Sequence, residues 1–355
     1  MKWPDRRLLA NRTLSKRMRI REKVLVALGA VCALSVGTIP SWSAPAGAFA
    51  IEAKQSGSLS PQMAMATHGL NLLMDGNPDA AIEVFQKIEE SDPESALGYL
   101  LDADAVWWKI YLTTGNLVDP DVFDVGSSKM TPYDAHLEDL IRATIFKAKQ
   151  AIRSGHDVAQ NYLYEGMAYA LRARLTGLRG EALPTARAGK KMRSLLLKAV
   201  RLDPNLTDAY LGIGIYNYFV ATLPGIIKLL RWLIGLPGGN RELGLQQLRE
   251  AAEHGVLTRG EAEFYLAKDY SRGLEKHYGK SLQLFQRLAA QYPQNGLWKL
   301  LSGSLEIRLG HLTQGEALYR QVFDMTRGEP TATGRAIHQA AREALERLHP
   351  GQAIQ

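Results

Sequence analysis

From residue 61 to the end of the chain, apolar side chains recur every three or four positions, and the strict alternation of a half-buried strand is almost absent. The periodic stretches lie at about 61–90, 94–153, 157–202, 206–254, 258–291 and 295–326. Each is long enough for two helices, so the pattern predicts about six helix pairs. A final amphipathic stretch, Ala336 to Leu348, sets Ile337, Ala341, Ala344, Leu345 and Leu348 on one stripe. A helix of that kind covers the open end of a stacked array. The predicted fold class is all-α over residues 61–350, after a polar linker at 51–60.

A register runs through these pairs. Gly69 is followed by Ala81, Phe85 and Pro93, and parts of the set return as Gly166 with Ala199 and Pro204, and as Ser281, Phe285 and Pro293. First helices keep it through Tyr162, Gly166 and Tyr169, through Tyr210 and Gly214, and through Leu266, Ala267 and Tyr270; the last pair keeps Gly303, Gly315 and Tyr319. Small residues there let two antiparallel helices touch, the aromatic is expected to fill the seam between neighbouring pairs, and proline starts the next turn because it cannot continue a helix. The register resembles the tetratricopeptide repeat (TPR), which implies a solenoid of helix hairpins wound as a right-handed superhelix. Pro93 and Pro204 lie 111 positions apart, against about 68 for two plain units. Insertions are therefore expected at Thr113–Tyr133 and Thr176–Thr185, and another at Leu223–Gly239. Around the last, Tyr216-Asn217-Tyr218, Leu223-Pro224-Gly225-Ile226-Ile227-Lys228-Leu229-Leu230 and Gly238-Gly239-Asn240-Arg241-Glu242-Leu243-Gly244-Leu245 locally resemble the tetratricopeptide repeat protein 39 family. That resemblance implies a repeat protein and supplies no catalytic residue.

Charge changes the picture at the N-terminus only. Residues 1–23 carry nine Lys or Arg against Asp5 and Glu22, residues 24–50 carry no charge, and 51–355 hold 34 basic and 34 acidic residues. A balanced chain implies no basic surface for a phosphate backbone, so nucleic acid is not an expected partner. The basic stretch precedes an apolar run, Val24–Ile39, then Pro40 and a small-residue tract with Ala48-Phe49-Ala50 as the preferred cleavage site. Residues 1–50 thus read as a secretory signal, with Met18 a more typical start than Met1, and the protein as exported to the periplasm or outside the cell. The alternative is an uncleaved membrane anchor. Cys32, the single cysteine, lies within the apolar run.

Candidate sites are few. The insertion carries Ile226, Ile227, Lys228, Leu230, Arg231 and Trp232, a composition for a helix lying on a membrane surface or folding back as a plug, the latter preferred. Asn240 and Arg241 open the next helix, where amides beside an arginine can hold an anion, though capping alone explains them. Asp119, Asp121 and Asp124 depart from calcium-loop spacing and read as a solvated acidic loop. No HExxH, paired metal spacing or catalytic triad is present, so neither metal, cofactor nor enzymatic activity is expected. The repeat register projects Leu163, Met167, Leu211, Ile215, Tyr218, Phe264, Lys268 and Arg272 onto the concave face. Two readings stand: a groove for an apolar peptide or acyl chain, or a face filled by neighbouring helices. The expectation is a non-catalytic scaffold binding a protein or peptide in that groove, with Glu at Leu211 or Phe264 abolishing binding without unfolding; the alternative is a carrier of a lipid or hydrophobic small molecule beneath 224–236, with a membrane surface as a further partner.

Overall fold

A computed structural model describes residues 60–122, 129–223 and 235–351. Among them are thirteen α-helices and no strand, and all belong to one compact unit, Ser58–Gln355. In chain order they are α1 Pro61–Met74, α2 Pro78–Ser91, α3 Leu97–Thr114, α4 Asp134–Ser154, α5 Val158–Leu178, α6 Ala182–Leu202, α7 Ala209–Thr222, α8 Arg241–His254, α9 Arg259–Ser271, α10 Tyr278–Gln291, α11 Gly296–Arg308, α12 Leu312–Met325 and α13 Ala332–Leu348. Local chemistry sets the ends. Ser60, Asn77 and Asn240 each accept a backbone N–H from three residues on, and Pro61 and Pro78 fill first-turn positions that need no donor. α4 stops at Gly155, whose φ of 77° is left-handed.

Each helix packs on the next along the chain, which is the behaviour of an all-α helical repeat. The register explains why. A methyl at Gly69 would overlap the Phe85 ring, and one at Gly303 would lie 2.8 Å from the Tyr319 ring. Gly214 and Gly244 bring α7 and α8 together backbone to backbone, with a Gly214 methyl placed 3.0 Å from the Gly244 carbonyl. In α9 the small position is Ala267, whose carbonyl accepts the Ser281 hydroxyl at 2.7 Å. Phe85, Leu196, Leu248, Phe285 and Tyr319, from α2, α6, α8, α10 and α12, are all buried in these seams.

Helices distant in sequence also meet. The Met74 carbonyl at the end of α1 accepts from Asn295 Nδ2 at 2.9 Å and from Trp298 Nε1 at 3.0 Å. Asp75 accepts the Gln294 N–H, and Tyr292 donates to Asn71. α13 packs on α3 as well as on α12. Side chains of first helices α3, α9 and α11 also meet across the unit, through the rings of Trp108, Phe264 and Trp298.

Candidate functional site

The residues projected onto the concave face fall in this core. Phe264 is 2% exposed and its ring centre lies 5.2 Å from Trp108, 5.7 Å from Tyr111 and 5.7 Å from Trp298. Lys268 is buried beside it, its Nζ 3.3 Å from the Tyr111 hydroxyl and over the Tyr111 and Phe264 rings, a cation held by aromatic faces. Leu163, Leu211 and Tyr218 are buried; Met167, Ile215 and Arg272 are half-buried. Glutamate at Leu211 or Phe264 would place a charge among buried side chains, so the expectation that such variants fold normally does not survive. The helical period identifies which residues turn inward. It does not say how far the facing helices stand apart.

Met167 and Leu211 line a cavity of about 20 Å³, together with Leu101, Asp104, Arg174 and Glu261. That volume suits about one water. At its rim Arg174 of α5 pairs with Glu261 of α9 and lies 3.7 Å from Asp104 of α3, with its guanidinium over the Tyr265 ring. Burial, then the Glu261 charge, push Asp104 well above the usual carboxylate range against the pull of Arg174. Burial works to lower Arg174, but Glu261, Tyr265 and Asp104 outweigh it and hold the cation firmly charged. The cluster ties three helices together and offers no free nucleophile. Its sequence signal is charges inside apolar helical runs, Asp104 in Leu-Asp-Ala-Asp-Ala-Val-Trp and Arg174 in Leu-Arg-Ala-Arg-Leu, which periodicity alone passes over.

A second polar group forms where α7 ends, α8 begins and α9 ends. The Tyr218 hydroxyl lies 3.3 Å from Glu275 Oε1, and Arg241 Nε lies 3.5 Å from the same carboxylate. The Arg272 guanidinium covers the Tyr218 ring at 5.5 Å and stands 3.9 Å from Asp269. Asp269 is 2% exposed, its Oδ1 accepts no hydrogen bond, and burial pushes it well above the usual range against Arg272 and Lys268. Leu274 and Leu243 stand exposed on the adjoining segments, 60% and 40%. The structure thus joins Tyr218 and Arg272 of one predicted set to Arg241 of another. Asn240 acts as the cap of α8, accepting Leu243 N–H at 3.0 Å, while Arg241 also pairs with Glu242.

Ile226, Ile227, Lys228, Leu230, Arg231 and Trp232 lie outside the described residues, as do residues 1–59 and Asp124. The other two loop aspartates are engaged: Arg308 lies 3.6 Å from Asp119 and 2.5 Å from Asp121, and Arg347 3.9 Å from Asp119. Among the described residues no three His, Cys, Asp or Glu side chains gather as a metal site, and no helix is long and apolar enough to cross a membrane. No protein-family model matches the chain, and no curated protein matches it.

Proposed function

We propose that this protein is an exported, non-catalytic adaptor built as a TPR-like right-handed solenoid, and that it binds a protein or peptide partner at the end of α7 and α9 rather than along the concave face. One observation carries the reading: the inward residues are spent on packing, Phe264 against Trp108, Tyr111 and Trp298, whereas Leu243 and Leu274 remain exposed and Arg241 half-exposed around a buried polar group. An apolar anchor beside charged side chains is the usual make-up of a protein-binding patch. The alternative, a carrier of a lipid or hydrophobic small molecule beneath 224–236, rests on residues 224–234, which lie outside the described ones; the cavity beside Arg174 has room for about one water.

The test is capture from an envelope fraction by wild type, by Leu274→Asp and by Arg241→Glu. Leu274 is exposed and Arg241 half-exposed, and each substitution is expected to remove a band that wild type retains, by roughly tenfold or more for the anchor. Equal capture by all three sinks the reading, as does native mass spectrometry showing bound lipid with no protein partner.

A further inference from the structure

The even charge balance of residues 51–355 hides a strong separation. Residues 51–140 hold four basic and sixteen acidic side chains, and residues 141–202 hold thirteen basic and three acidic. The absence of a basic surface, expected from the total, is therefore corrected by its distribution. The extreme is α6, which carries Arg187, Lys190, Lys191, Arg193, Lys198 and Arg201 and no Asp or Glu. Its Ala188, Met192, Leu195, Leu196 and Ala199 are buried, and it packs on α5 and α7.

At 3.6 residues per turn, Arg187, Lys190, Lys191, Ser194, Lys198 and Arg201 fall within about a third of the helix circumference, and all six are exposed. The cations from Arg187 to Arg201 extend over about 21 Å. Leu183 and Leu202, 46% and 52% exposed, continue the same stripe at its two ends. Among the described residues no α6 cation enters an ion pair; Lys198 instead donates to the Tyr162 hydroxyl at 2.5 Å. Glu165 of α5, the carboxylate that Lys191 and Lys198 act upon, is buried and lies 3.8 Å from Lys149 of α4. Lys149 and Lys191 thus act on one carboxylate of α5, the helix on which both α4 and α6 pack. In the C-terminal half of α4, Lys149 and Arg153 stand exposed beside Phe146, itself 58% exposed.

We propose that this α6 stripe, with the C-terminal half of α4, seats the protein on an anionic phospholipid surface. Charge complementarity names the occupant class, and shape selects within it. The stripe is a row on a convex helix, with no concave pocket for a single anion. A nucleic-acid backbone would meet the cations alone and leave the exposed Leu183, Leu202 and Phe146 without a partner. A protein interface wants an apolar centre, and the centre of this stripe is cationic with leucines only at its ends. A headgroup layer accepts that order: lysines and arginines meet phosphates, and the terminal leucines and Phe146 dip into the interface. This reading is independent of the partner site at Arg241 and Leu274, and either can fail without the other.

The experiment uses the full chain with Cys32→Ser and Ser194→Cys, an environment-sensitive dye at 194, and vesicles of phosphatidylcholine with or without phosphatidylglycerol. The dye is expected to report binding only to the anionic vesicles, and less so as salt rises. A second labelled chain, with Gln339→Cys on α13, is expected to stay silent. K190E/K191E/K198E is expected to weaken vesicle sedimentation about tenfold or more, with K190Q/K191Q/K198Q shifting the same way should the Glu triple fold poorly. The exposed triple K87E/K276E/K280E is expected to change it little; the basic leader is common to all variants and cancels. A silent dye at 194, equal loss in the control triple, or tighter binding to duplex DNA or poly-glutamate than to anionic vesicles overturns the proposal.

Discussion

Glu89 of α2 has its pKa raised from 4.5 to about 7, first by burial and then by the Asp102 charge, with Lys147 opposing. Asp102 of α3 is 1% exposed and is itself pushed up by burial, against His136, Gln86 and Lys109. Glu89 Oε1 and Asp102 Oδ1 are both buried without a hydrogen-bond partner, so ionising the pair sets two like charges in poor solvent. The folded state therefore holds the Glu89 proton more tightly than the unfolded chain. Its contribution is fully present below pH 4.5 and is lost as pH rises through about 7. Urea melts of wild type are expected to lose about 2 kcal/mol between those limits, and Glu89→Gln, which stays neutral, is expected to flatten that fall. A variant whose stability tracks wild type across the same window would remove Glu89 as the cause.

Helix pairs owe their closeness to a few small residues, and the most demanding is the α7 and α8 pair. A methyl at Gly244 would lie 2.6 Å from the Tyr218 backbone nitrogen and 2.9 Å from the Gly214 carbonyl, backbone groups that cannot step aside. Gly189 on α6 is a contrast, since a methyl there meets the Tyr216 ring at 3.9 Å. Gly244→Ala is expected to cost about 1–3 kcal/mol by forcing the helices apart, while Gly189→Ala is expected to be neutral or to stabilise by up to about 1 kcal/mol; thermal melts of the two decide it. Similar losses for both would mean that the seam adapts. The placement of helices was legible in the chain because proline, Asn caps and glycine mark their ends. The small positions were legible too, but the register misplaced the aromatic: Phe85 meets Gly69 and Tyr319 meets Gly303 inside one pair rather than between neighbouring pairs. What escaped was the approach of first helices across the unit: Trp108, Phe264 and Trp298 lie in three separate stretches, and the 3.6-residue period carries no information on crossing distance. The Asp104, Arg174 and Glu261 cluster escaped for the same reason, as did the one-sided α6 stripe when charge was taken as a total.

Nearest-neighbour stacking alone would leave α1 and α2 as a loosely held end, free to open without the rest. Here Asn295 and Trp298 bind the Met74 carbonyl, and Gln294 binds Asp75. Asn295→Ala with Trp298→Phe removes two donors at 2.9 and 3.0 Å and keeps most of the ring packing. Amides of α1 and α2 are expected to exchange about tenfold faster in that variant, since each lost buried bond costs about 1 kcal/mol or more, while those of α5 to α8 keep their protection. Uniform acceleration through all helices would show one cooperative block, and no change would show that the donors are dispensable.

The same tie has a consequence in time. Met74 and Asn295 are 221 residues apart, and a ribosome adds about 5–20 residues each second. The first hairpin must wait on the order of ten seconds or more after its own synthesis before its last carbonyl finds its donors. Throughout that interval the end of α1 that later receives Asn295 and Trp298 faces outward, so the nascent chain is most open to proteases and to holding chaperones at its oldest end, and a chain released before residue 295 carries a first hairpin whose last carbonyl never finds these donors.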